Sequence, residues 1–108
     1  MEVSFITQKL QKVCESQKEL RRVHGDACGK RIMQRLVDLR AAATLDAFRQ
    51  LPGKCHELDG DRAGQLALHL ADGKRLVFRP AQESSPDEDG LDWRQIDAVC
   101  VIEIVDYH

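Results

Sequence analysis

Apolar residues follow two rhythms along this chain, and the change between them falls near residue 55. Before it they recur at helical spacing; after it they alternate. Val3 to Ile6 reads as a short apolar strand, and Thr7 stands where a helix N-cap belongs. Leu10, Val13, Cys14 and Leu20 then share one stripe, which predicts a helix from about Gln8 to Val23. His24-Gly25-Asp26 breaks and re-caps the chain. Ile32, Leu36, Leu39 and Ala43 recur at threefold and fourfold spacing between charged residues, the pattern of a second amphipathic helix. Thr44 can cap a short extra turn through Phe48, and Leu51-Pro52-Gly53 stops it.

The second half alternates. Leu66, Leu68 and Leu70 lie on one face of a strand, and Leu76 and Phe78 repeat the pattern after Asp72-Gly73, a dipeptide suited to a tight hairpin. The opposite face then carries Gln65, Ala67, His69, Arg75, Val77 and Arg79, so the pleat predicts a basic patch on an open sheet face. Pro80 to Asp92 has loop composition, Trp93 to Ile96 suits a turn with the indole anchoring a loop, and Ala98 to Val105 reads as a central strand covered on both faces. Glu103 interrupts that run. On period two it shares a face with Val101, Val105 and Tyr107, where it can pair with an arginine of the neighbouring hairpin. The expected fold is α+β: two N-terminal helices packed on one face of a twisted, mainly antiparallel sheet.

With 108 residues, 43% of them hydrophobic, the chain suits a single domain over 1–108. The sequence shows neither a long apolar run nor a signal-peptide pattern, so a cytoplasmic protein without a membrane anchor is expected. Cys14, Cys28, Cys55 and Cys100 are irregularly spaced, which predicts reduced, mostly buried thiols rather than a zinc or redox motif. Cys55-His56 is an adjacent pair, too little for a tetrahedral metal site.

The net charge of −2 is unevenly placed. Glu83, Asp87, Glu88, Asp89 and Asp92 crowd one short stretch, and without them the remaining body is positive. A local basic surface is therefore permitted, although a solvated helix face beside an acidic loop accounts for the charge pattern as well.

The strand pattern ends on Asp106-Tyr107-His108. Histidine exchanges protons near neutral pH, and a nearby carboxylate favours its charged form. This tail is either a solvated end or a piece of chemistry, and composition leaves both open.

Taken together, the order strand, helix, helix, strands, the run LPGKCHELDGDRAG from Leu51 to Gly64, the hairpin segment from Lys74 to Phe78 and the ending EIVDYH resemble the HigB branch of the RelE/ParE toxin superfamily. The resemblance spans nearly the whole chain and is most specific at Gly60-Asp61-Arg62-x-Gly64 and at Asp106-Tyr107-His108. It implies a RelE-like fold and a type II toxin, a ribosome-dependent endoribonuclease that cuts messenger RNA without a metal or other cofactor. The partners it implies are the ribosome, messenger RNA and a HigA-like helix-turn-helix antitoxin, with operator DNA reached only through that antitoxin.

Cleavage of RNA by its own 2′-hydroxyl needs a proton acceptor, a proton donor for the leaving 5′-oxygen, and a cation for the phosphorane. The resemblance assigns catalysis to Arg75, Asp106, Tyr107 and His108, with His108 moving the proton and Arg75 gripping the phosphate. His69, Lys74 and Arg79 are the accompanying RNA-binding candidates. Asp59 and Ala71 stand where some relatives carry a lysine and an arginine. A gyrase-inhibiting ParE-like toxin, or a non-toxic antitoxin-binding remnant, are the alternatives.

Overall fold

The computed structural model describes residues 1–82 and 90–106, so most of the acidic stretch and the tail residues Tyr107 and His108 lie outside the described residues. Strand β1 (Glu2–Phe5) leads into helices α1 (Gln8–Cys14), α2 (Gln17–His24), α3 (Asp26–Ala41) and α4 (Leu45–Phe48). Then come β2 (His56–Glu57), β3 (Leu66–His69), β4 (Lys74–Pro80) and β5 (Ala98–Asp106), with 3₁₀ turns at Gly60–Arg62 and Trp93–Gln95. The strands form one sheet in the order β1-β5-β4-β3-β2. Among the described residues the β1–β5 pair is parallel and the other strand pairs are antiparallel.

The helix expected from Gln8 to Val23 is two helices. Glu15 closes the first and Ser16 caps the second, its hydroxyl accepting from the Glu19 N–H at 3.2 Å. Ser16-x-x-Glu19 has the spacing of a capping box, a start signal sitting inside a stripe that otherwise ran on. Thr7 and Thr44 cap α1 and α4 as expected, accepting from Leu10 N and Ala47 N. Helix α3 stops at Ala41; Ala42 turns inward beyond it, and Ala43 is exposed rather than part of the buried stripe.

The layers meet through Leu20, Ile32, Leu36, Leu39, Leu45 and Phe48 from the helices and Leu66, Leu68, Leu76, Phe78, Val99 and Val101 from the sheet, all at most 2% exposed. Leu10 and Val13 pack at its margin. Helices α2 and α3 approach closely at Gly29, where a Cβ would sit 3.0 Å from the Leu20 carbonyl carbon. In the hairpin, Asp72 and Gly73 both adopt left-handed φ, of +59° and +76°, as the tight turn demands.

Strand β5 departs from strict alternation. Val77 pairs with Glu103, yet Phe78 pairs with Val101, so Ile102 is an extra residue between them. This bulge reverses the parity of the strand: Val101 joins the core with Phe78, whereas Glu103 and Val105 face away from the helices. The expected sharing of one face by Val101 and Glu103 is corrected accordingly. Coverage on both sides also holds only for Val99, Cys100 and Val101; residues 102–105 are half-buried.

Candidate functional site

On the helix-free face the register aligns two rows. His56, Ala67, Val77 and Glu103 lie side by side across β2, β3, β4 and β5, and His69, Arg75 and Val105 form the next row. Ala67 and Val77 are nevertheless buried, so the face is not open at its centre. Arg62 reaches across this face. From the 3₁₀ turn its guanidinium donates through Nη1 to Gln65 Oε1 at 2.8 Å and through Nη2 to the Glu103 carboxylate. Reaching from the start of β3 to β5, it lies across the row that holds Val77. Glu103 therefore pairs with Arg62, and not with a hairpin arginine as the alternation suggested.

Beside this brace stand two histidines and an arginine. His69 and Arg75 are directly cross-strand, and the His56 ring stands edge-on to His69 with centroids 5.8 Å apart. His56 Nδ1 lies 3.0 Å from the Lys54 carbonyl, which can only accept; this contact puts the proton on Nδ1 and leaves Nε2 as the basic nitrogen. Burial holds the His69 imidazole below its ordinary pKa, and the positive charges of Arg75, His56 and Lys54 push the same way. A neutral His69 at cellular pH follows, a proton acceptor more than a donor. Arg75 steadies itself by donating to the Lys74 carbonyl at 3.1 Å.

The other site candidates separate. Arg79 lies on the same face but donates to the carbonyls of Pro80 and Ala81 at 2.8 and 3.3 Å, toward the far end of β4. Lys74 falls on the helix side, where its Nζ reaches the His24 carbonyl at 3.4 Å. Its cross-strand partner is Asp106, so Asp106 projects from the face opposite Arg75. The structure thus brings His69 and Arg75 together and sets Lys74 and Asp106 on the reverse side; Tyr107 and His108 lie outside the described residues.

Sequence reading weighed His56 only beside Cys55 as a metal pair. Its place in the histidine cluster depends on β2, a two-residue strand with no periodicity to reveal it. Cys14 and Cys55 are not nucleophiles here: burial pushes Cys55 up to about 12 and Cys14 up to about 11, leaving both protonated near neutrality. All four cysteines are free, and the described residues contain no group of three or more His, Cys, Asp or Glu placed to hold a metal ion. No helix among them is long and apolar enough to cross a membrane.

No family model matches the chain, and no curated protein matches its sequence. Among solved structures, a YoeB/ParE toxin from Agrobacterium tumefaciens aligns with 100% of this chain and 100% of its own, at 17% sequence identity and a TM-score of 0.54. The likeness is one of architecture, and it identifies the helical layer on a five-stranded, mostly antiparallel sheet as the RelE/ParE-like toxin fold.

Proposed function

We propose that this protein is the toxin of a type II toxin–antitoxin pair and that it arrests translation by cutting messenger RNA on the ribosome, without a metal. The observation that carries the reading is the direct pairing of His69 with Arg75 on the helix-free face, beside the strand that runs to Asp106. An arginine offers a scissile phosphate a planar, two-pronged donor, and a neutral imidazole next to it can accept a proton. Whole-length likeness of fold to a toxin supports the same conclusion.

In this reading Arg75 holds the phosphate and stabilises the phosphorane, and His108 transfers a proton, with Tyr107 completing the catalytic tail; Asp106, on the opposite face from Arg75, stands outside that centre. His69 contributes to RNA binding, and His56 extends the cluster. Lys74 and Arg79, turned away from that centre, bear on RNA at its margins. With a net charge of −2, affinity for free RNA is low, and the ribosome supplies the docking surface. The antitoxin partner is of the HigA helix-turn-helix kind, through which operator DNA is reached.

Inducible expression in bacteria, with sequencing of messenger RNA ends on ribosomes, tests this. Rapid translation arrest with new cleavages inside translated codons is the expected result. A DNA-damage response without arrest would indicate gyrase inhibition instead, and unimpeded growth a non-toxic antitoxin-binding remnant.

A further inference from the structure

Arg62 and Glu103 form an ion pair that bridges β4 on the candidate face, yet both side chains keep contact with water, at 36% and 41% exposure. A pair this accessible contributes little to folding, and the carboxylate can be exchanged for another anion without exposing a buried charge. Arg75 stands on the same face, one same-face step along β4 from Val77, the residue paired with Glu103. Two arginines on one face of a sheet suit anions that repeat along an extended polymer more than a single acidic side chain. A phosphodiester also presents the same pair of oxygens to a guanidinium as a carboxylate does.

We propose that Arg62 is a second phosphate-binding residue, engaged by Glu103 in the free protein and handed to the backbone of single-stranded RNA when RNA lies across the face. The proposal rests on the nuclease reading and deepens it: Arg75 holds one phosphate and Arg62 an adjacent one. Glu103 acts as an internal competitor. It keeps Arg62 ordered over Ala67 and Val77 and lowers affinity for RNA that is not otherwise docked. Gln65, which accepts from the other arm of the guanidinium, orients Arg62 in both states.

The test is fluorescence anisotropy at low ionic strength with a labelled single-stranded RNA whose 2′-hydroxyls are methylated, so that it cannot be cut. The full chain is compared with Glu103→Gln, Arg62→Gln and the double variant. Glu103→Gln is expected to tighten binding by about threefold to tenfold and to steepen its salt dependence by roughly one counterion. Arg62→Gln weakens binding, and in its background Glu103→Gln brings no gain. An equal gain in that background would overturn the proposal, since simple loss of negative charge would then account for it. Unchanged or weaker binding in a Glu103→Gln protein that melts like the parent would overturn it too. If that variant melts lower, Glu103→Thr, which suits a strand, is judged by the same outcomes. Messenger RNA cut on ribosomes by a protein showing no Glu103 effect sinks this proposal alone; neither cleavage nor RNA binding in any variant sinks the nuclease reading with it.

Discussion

His69 and Arg75 face one another across the β3–β4 hairpin, on the side of the sheet that carries no helix. The pairing places a fixed positive charge beside a half-buried imidazole, with His56 and Lys54 adding to it. By NMR, His69 is expected to titrate below the ordinary histidine value of about 6.5. Arg75→Gln should raise that midpoint only part of the way, because burial, the larger cause, remains. A midpoint at or above the ordinary value would remove the argument for a proton-accepting His69.

A second titration affects stability. His24 is also held below its ordinary value, first by burial and then by Lys74, whose Nζ touches the His24 carbonyl. Both histidines therefore bind protons less readily folded than unfolded. Above the unfolded value neither state is protonated and nothing is lost. As pH falls below about 6.5 the unfolded chain takes up protons first, so folding stability declines. Urea midpoints should fall between pH 7 and pH 5, and His24→Gln should flatten that dependence. A parent protein equally stable at both pH values would contradict the assignment.

Glu57 and Gly90 give a structural prediction with a spectroscopic readout. Although Glu57 is on the β2 edge, its carboxylate accepts from the Leu91 N–H and from the Trp93 indole N–H, each at 2.9 Å, and Arg49 stacks over the Trp93 ring at 4.1 Å. Gly90 has φ +88°, and a Cβ there would lie 2.7 Å from Glu57 Oε1. Gly90→Ala is expected to cost about 1–3 kcal/mol in urea unfolding and to shift the emission of the single tryptophan to the red. Glu57→Ala should do the same by leaving the indole N–H unpaired. Unaltered emission in both variants would show that Trp93 is held by other contacts.

How much of this was legible in the residues depends on whether the signal was periodic. The hairpin of Leu66, Leu68, Leu76 and Phe78 was, because strict alternation around Asp72-Gly73 has one reading, and the core confirms it. The split between α1 and α2 was written at Ser16 and Glu19 but was overridden by the stripe from Leu10 to Leu20. The Ile102 bulge carried no such mark. One extra residue changes which face Glu103 occupies relative to Val101, and it is settled by packing against β4. For the site, alternation placed His69 and Arg75 together on one face, yet it could not show that Arg62 reaches over from a loop to pair with Glu103. Period two describes strands and says nothing of the side chains that turns lay across them.

Arg35 supplies a prediction against intuition. It is buried in α3, paired with Asp38 at 2.7 Å, and its Nε has no hydrogen-bond partner among the described residues. The desolvation of this charge is incompletely compensated, whereas Asp38 is partly exposed and water can solvate it alone. Arg35→Met is expected to leave stability unchanged or raise it by up to about 2 kcal/mol. Asp38→Ala, which strands the buried guanidinium, should cost about 3 kcal/mol. Equal losses in both variants, measured by urea unfolding, would show that Arg35 contributes through its packing instead.

The most demanding prediction concerns the phosphate grip and the tail. If Arg75 holds the scissile phosphate, Arg75→Ala should lower the rate of messenger RNA cleavage on ribosomes by about two orders of magnitude or more. Arg75→Lys should recover only part of it, since an ammonium replaces a planar fork with a point charge. If His108 moves the proton, its removal and His108→Gln should each cost about 10²-fold or more, because glutamine keeps hydrogen bonding and loses titration. None of these changes touches the core built from Leu66, Leu68, Leu76 and Phe78, so thermal unfolding should stay at the parent's temperature. That constancy makes the rates interpretable: a loss of cleavage in a fully folded protein reports chemistry. The opposite pattern, undiminished cleavage after removal of His108 with a severe Arg75→Ala defect, would move proton transfer onto the face itself, where His69 and His56 stand beside Arg75.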